Sequence, residues 1–137
     1  MASILVIDDD RAVLGTLKIL LEQDSHTVET ANDGRAGLRL LEIQTFNLLI
    51  VDIFMPGMDG FETMRLVHRS WPKMPIVVIS GQQFRQTSDG GPDFLYMATK
   101  LGAVSSLQKP FKPRDLLTAV AKSLSESAAT RPKIPPD

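Results

Sequence analysis

The 137-residue chain contains no cysteine. Disulfides, thiolate metal sites and cysteine nucleophiles are therefore excluded. No stretch approaches the roughly 20 consecutive apolar residues needed to span a bilayer. The first residues, Met1 to Ile7, lack both the charged start and the long apolar run of a secretory signal, so a cytoplasmic protein with no membrane contact is expected. Neither sign of charge is in excess. The formal net charge is −1, and no basic stripe interleaved with aromatics is visible, which argues against direct nucleic-acid binding. No glycine-rich phosphate loop is present, which removes a nucleotide-binding module.

What remains is the composition of one compact globular domain, with 43% hydrophobic and 23% charged residues. Short apolar runs alternate with longer amphipathic stretches. The runs are Ile4–Ile7, Thr27–Thr30, Leu48–Val51, Ile76–Ile79 and Val104–Leu107. The first, third and fourth are continuously apolar, as expected of parallel strands covered on both faces. The other two are mixed, as edge strands often are.

Between the runs, Val13, Leu17, Leu20 and Leu21 recur at helical spacing, as do Phe61, Met64 and Val67, and Leu116, Leu117, Val120 and Leu124. Asn32-Asp33-Gly34 leads into a helix over about 35–43. Asp59 with Glu62 resembles a capping box, and Pro92 and Pro113 suit first helical positions. Gly102 fits the stop of a helix over about 92–101. The pattern predicts five β–α units with helices on both faces of a five-stranded parallel sheet.

In such a sheet the functional crevice lies beyond the carboxyl ends of the strands. The strand ends are therefore the informative positions. Asp8 and Asp9 follow the first strand, Asp52 the third, Ser80 the fourth and Lys109 the fifth. Carboxylates converging on one point repel each other unless a cation joins them. Mg²⁺ is a hard ion commonly held by one or two carboxylates plus a phosphate. A carboxylate beside it can attack phosphorus to give an acyl phosphate. Metal, ammonium and hydroxyl can then take the oxygens of the transferred group. Asp10 is expected to be solvated.

These stretches, Ile4-Leu5-Val6-Ile7-Asp8-Asp9-Asp10, Val51-Asp52-Ile53-Phe54-Met55-Pro56-Gly57-Met58-Asp59-Gly60, Ile79-Ser80-Gly81 and Gln108-Lys109-Pro110-Phe111, resemble the receiver domain of two-component response regulators. The resemblance covers about 3–124. It implies a flavodoxin-like (βα)5 fold with strand order 2-1-3-4-5 and makes Asp52 the phosphoacceptor. Asp9 matches the direct metal ligand, Asp8 the acid that helps hold the metal, and the Phe54 backbone carbonyl the third protein ligand for Mg²⁺, or Mn²⁺ in its place. Ser80 matches the conformational hydroxyl and Lys109 the cation on the phosphoryl group. The Lys109–Pro110 bond is cis in the family. The implied partners are a sensor histidine kinase or histidine phosphotransfer protein and a downstream protein or output domain. The domain would transfer phosphate to itself and later hydrolyse it, without being a turnover enzyme.

The sequence departs from the family in two places. Ser106 stands where an aromatic switch residue is usual, and a serine has no ring to swing. The segment from Gly81 to Gly91 is longer than usual, and it is expected to take over part of the switching or partner-reading role. His26 and His68 are expected to be structural or solvent-facing, and Trp71 to cover the end of the core. The receiver is expected over 1–124, with 125–137 a disordered tail or the start of a linker, from either a stand-alone regulator or a piece of a longer one. A Mg²⁺-dependent aspartate-nucleophile phosphatase of the haloacid-dehalogenase type is the alternative. It needs a second acid two residues after the nucleophile, where this chain has Phe54.

Overall fold

A computed structural model describes residues 2–53, 60–81 and 94–130. The elements run β1 (Ser3–Ile7), α1 (Arg11–Gln23), β2 (Thr27–Ala31), α2 (Gly34–Ile43), β3 (Leu48–Asp52), α3 (Gly60–Ser70), β4 (Ile76–Ser80), α4 (Phe94–Lys100), β5 (Ala103–Gln108) and α5 (Pro113–Thr130). All strand pairings are parallel, and the sheet order is β2-β1-β3-β4-β5. This is the expected doubly wound fold.

The alternation of side chains along each strand divides the apolar residues between two cores. Ile4, Val6, Leu48, Ile50, Val77 and Ile79 point to the face covered by α1 and α5, where Leu17, Leu21, Leu116 and Val120 meet them. Leu5, Ile7, Leu49, Val51, Ile76 and Val78 point to the opposite face, against Leu41, Met64, Val67 and Ala98. A strand that must be apolar on both faces reads as an unbroken apolar run. β1, β3 and β4 are the three inner strands.

Local sequence sets the helix starts. Asp33 caps α2, its side chain accepting from Ala36 N at 2.8 Å, and Pro113 opens α5. Asp10 is not merely solvated. Its carboxylate caps α1, accepting from Ala12 N at 2.9 Å and Val13 N at 3.4 Å. Capping satisfies backbone donors that the helix itself cannot. Gly102, with φ of 101°, makes the turn from α4 into β5 in a conformation that disfavours a side chain. The α5 helix passes Leu124 and runs to Thr130, so the segment expected as tail begins as helix. No helix-breaking proline occurs there before Pro132. Pro92, the Asp59 cap and residues 82–91 of the long loop lie outside the described residues.

The two histidines take structural or solvent-facing places, as expected, with His68 exposed. His26 Nδ1 accepts from Ala2 N at 3.2 Å and ties the chain start to the α1–β2 turn. His68 lies over Gly102, where a Cβ would come within 2.9 Å of its Nδ1. Trp71 packs against the core on the α3 side. Among the described residues no helix is long and apolar enough to cross a membrane.

Candidate functional site

Parallel pairing in this order brings the carboxyl ends of β1, β3 and β4 side by side, with β5 at one edge. Ile7 pairs with Val51, Asp52 with Ile79, and Ser80 with Gln108. The register therefore places Asp8, Asp52, Ser80 and Lys109 along one rim. The structure brings together four of the residues expected in the site, and Asp9 joins them.

Each is held by its backbone neighbours. Asp8 N donates to Ala31 O at 3.1 Å, and Asp8 Oδ1 accepts from Asp10 N at 2.9 Å. Asp8 thus anchors the turn that Asp10 converts into helix. Ile53 N donates to Ile79 O at 3.1 Å, fixing the peptide that follows Asp52. Lys109 N donates to Ser80 O at 2.7 Å, and the Lys109–Pro110 bond is cis. The bond to Ser80 O holds Lys109 at the β4 edge, with its side chain reaching the acids.

The side chains meet at short range. Lys109 Nζ lies 2.9 Å from Asp8 Oδ2 and 3.1 Å from Asp52 Oδ2. Oxygens of Asp8, Asp9 and Asp52 all fall within 4.8 Å of one another. Asp8, Asp52 and Ser80 are buried, whereas Asp9 is exposed. Three carboxylates around one ammonium leave the cluster negative. Burial pushes the Asp8 carboxyl above the usual aspartate range. The Asp52 charge adds to this, and the bonds from Asp10 and Lys109 offset it only in part. Burial alone would lower Lys109, but the hydrogen bond to Asp8 and the charges of Asp52 and Asp8 outweigh it. Its ammonium is held above the usual lysine range.

A divalent cation fits this donor set. Asp8 Oδ2 is fully buried, and the ammonium paired with it, Lys109 at 2.9 Å, is shared with Asp52. Burial still raises Asp8 despite this pairing, and a second cation would offset the remaining cost. The donors are all oxygens, as Mg²⁺ prefers, and one side of the cluster is open at Asp9. The Phe54 carbonyl lies outside the described residues. Ser106 is an exposed residue of β5 opposite Val78.

Two supporting residues do not stand out in the sequence. Asp10 shapes the turn after Asp8, and an acid directly before a helical pattern is the signal that could have shown it. Gly60 is the other. A Cβ built on it would lie 2.2 Å from both Asp52 O and Ile53 Cα, so the start of α3 sits directly on the backbone of Asp52.

The chain matches the family model described as "Response regulator receiver domain" over residues 4–121. It is 33% identical over 121 residues to the response regulator protein FleR of Pseudomonas aeruginosa, covering 88% of this chain and 24% of FleR. It is 34% identical to the transcriptional regulatory protein FixJ of Bradyrhizobium diazoefficiens, covering 91% of this chain and 57% of FixJ. The chain thus spans about a quarter to little more than half of these relatives. Among solved structures, a CheY-like receiver domain protein from Methanospirillum hungatei superposes with a TM-score of 0.84 at 30% identity, covering 96% of this chain and 99% of that one. A receiver domain protein from Clostridium thermocellum gives 0.83 at 30% identity, covering 96% and 100%. None of these matches supports the phosphatase alternative.

Proposed function

Since the chain belongs to the response-regulator receiver family of two-component signalling, we propose that Asp52 is its phosphoacceptor and that a histidine kinase or histidine phosphotransfer protein is its donor. The single observation that carries this is the convergence of Asp8, Asp9 and Lys109 on the Asp52 carboxylate.

In the forward step an Asp52 carboxylate oxygen attacks the phosphorus of a phosphohistidine. A P–O bond forms, the P–N bond breaks, and the leaving imidazole takes up a proton from solvent. Lys109, already 3.1 Å from Asp52 Oδ2, is placed to pair with a phosphoryl oxygen as charge develops there. Ser80, buried at the adjacent strand end, supplies a hydroxyl to a second oxygen. Asp8 and Asp9 would hold Mg²⁺ together with Asp52, and the bound ion would supply positive charge against the phosphoryl oxygens. In a separate resetting step water attacks phosphorus, the bond between phosphorus and the Asp52 oxygen breaks, and the Asp52 carboxylate is restored with release of inorganic phosphate and a proton. The receiver is a switch rather than a turnover enzyme, and this self-hydrolysis resets it.

Signalling follows if phosphoryl group and metal bind one packed arrangement better than another. Gly60 connects the site to α3 by direct contact with the Asp52 backbone, so movement at Asp52 is passed to that helix. We assign the receiver to about 1–124, with α5 continuing beyond it, and its downstream partner to a protein or output domain.

Intact-mass measurement after incubation with acetyl phosphate tests the reading. One phosphate should be added in the presence of Mg²⁺ and none after chelation. A mass unchanged in both conditions would overturn it.

A further inference from the structure

From Thr63 to Ser88 the sequence contains no aspartate or glutamate, yet it carries Arg65, Arg69, Lys73 and Arg85 together with His68. Three of those cations are placed by α3 and the turn that follows it. Arg65 and Arg69 are one helical turn apart on the exposed side of α3, with His68 between them, and Lys73 stands in the turn leading to β4. Arg65, His68, Arg69 and Lys73 are all exposed. Among the described residues Arg65 has only a 4.0 Å surface contact with Glu62. Neither Arg69 nor Lys73 has an acidic partner among the described residues.

The fold sets this group at the pole opposite the acid cluster. The α3 helix starts on the Asp52 backbone at the carboxyl rim and delivers the chain to the amino end of β4. Its 11 residues span about 16 Å. His68 rests over Gly102, which adds the turn after α4 to the same pole. The neighbouring helix α2 ends there too, with Ile43 77% exposed, the highest of the exposed large hydrophobics among the described residues. The helix dipole accounts for cations in the last turn, worth about 0.3–1 kcal/mol each. It does not account for Lys73, which lies beyond the helix, or for the lack of any acid across the whole stretch.

We infer that the Arg65–His68–Arg69–Lys73 surface at the end of α3 is a docking site for an acidic protein segment carrying an apolar residue. Charge complementarity selects acid, and Ile43 gives an apolar neighbour for the segment's own hydrophobic side chain. A nucleic acid fits less well. The chain total is −1, so apart from Arg65, Arg69 and Lys73 the molecule carries −4, and an extended polyanion would meet repulsion beyond this small patch. A short acidic segment contacts the patch alone. This inference does not depend on Asp52 being phosphorylated.

The test uses the full chain, a peptide of glutamates with leucine at every fourth position, and a DNA duplex of equal charge. Backbone amide shifts on adding the peptide should concentrate on 65–73 and around Ile43. Binding should weaken with added salt. The double variant Arg69→Glu/Lys73→Glu should bind the peptide about tenfold more weakly or worse. The equally charged change Arg114→Glu/Lys122→Glu, on the exposed side of α5, should leave it unchanged. Circular dichroism of both variants confirms that they are folded. Equal losses in the two variants, shifts spread over other surfaces, or no peptide binding at all would overturn the inference. Tighter binding of the duplex at 65–73 would overturn it in favour of a nucleic-acid surface.

Discussion

Lys109 Nζ sits 2.9 Å from a fully buried Asp8 oxygen. Attraction is present, but it does not cancel the cost of burying the acid. The Asp8 carboxyl is accordingly held above its ordinary range. The sign of the consequence is fixed by linkage. An acid whose folded pKa is raised favours folding in its protonated form. That contribution is full below the unfolded pKa and is lost as pH rises through the folded one. Near neutrality the ionised Asp8 costs stability. Asp8→Asn should therefore raise the thermal midpoint in the presence of a chelator while weakening Mg²⁺ binding. Mg²⁺ affinity of the unaltered protein should fall on acidification, starting above the ordinary aspartate range, because binding needs the ionised form. Calorimetric titration across acidic pH, with thermal melts of the variant, checks both.

Gly60 and Asp52 make a second prediction. A methyl group on Gly60 would overlap the Asp52 carbonyl and the Ile53 Cα, and backbone cannot step aside cheaply. Gly60→Ala should cost about 1–3 kcal/mol, as overpacking does, and should slow labelling by acetyl phosphate. A Cβ added to Gly15, within α1, would meet nothing within 4 Å. Gly15→Ala should instead stabilise by about 0.5–1 kcal/mol through helix propensity. Urea unfolding of the pair separates the two effects.

Ser123 offers a third. Its hydroxyl is buried in α5 at 1% exposure and has no hydrogen-bond partner among the described residues. An unsatisfied buried hydroxyl costs about 1–3 kcal/mol, and alanine is the better helix former. Ser123→Ala should raise stability by about 1 kcal/mol in chemical denaturation without altering labelling at Asp52.

The fourth concerns Asp10, which caps α1. Asp10→Ala should lose about 1 kcal/mol, within the usual range for a cap. Mg²⁺ binding should weaken only slightly, because Asp10 shapes the turn beside Asp8 without belonging to the carboxylate cluster. Unfolding and metal titration of the same variant distinguish these roles.

The sheet is legible in the sequence because its inner strands are buried on both faces. Ile4–Ile7, Leu48–Val51 and Ile76–Ile79 have to be apolar throughout, and that run is visible without coordinates. The site is legible for a related reason. Parallel pairing sends every strand end to one rim, so Asp8, Asp52, Ser80 and Lys109 can be grouped from strand position alone. Asp10 resists such a reading because three adjacent acids look alike in sequence, although each side chain takes a different direction. Asp8 enters the cluster buried, Asp9 enters it exposed, and Asp10 turns back onto the helix. The Gly60 contact depends on backbone-to-backbone approach, which no periodicity reports. The extent of α5 is hidden because Ser-Ala-rich sequence without an apolar stripe resembles a linker, while its helical propensity still permits continuation.

Borohydride trapping decides whether Asp52 carries the phosphoryl group. After acetyl phosphate and Mg²⁺, reduction of an aspartyl phosphate converts that residue to homoserine, which peptide mapping locates. Homoserine should form at position 52 alone, and none should form in Asp52→Asn. Homoserine at Asp8 or Asp9 in the unaltered protein, or no homoserine despite an added phosphate, would contradict Asp52 as the phosphoacceptor.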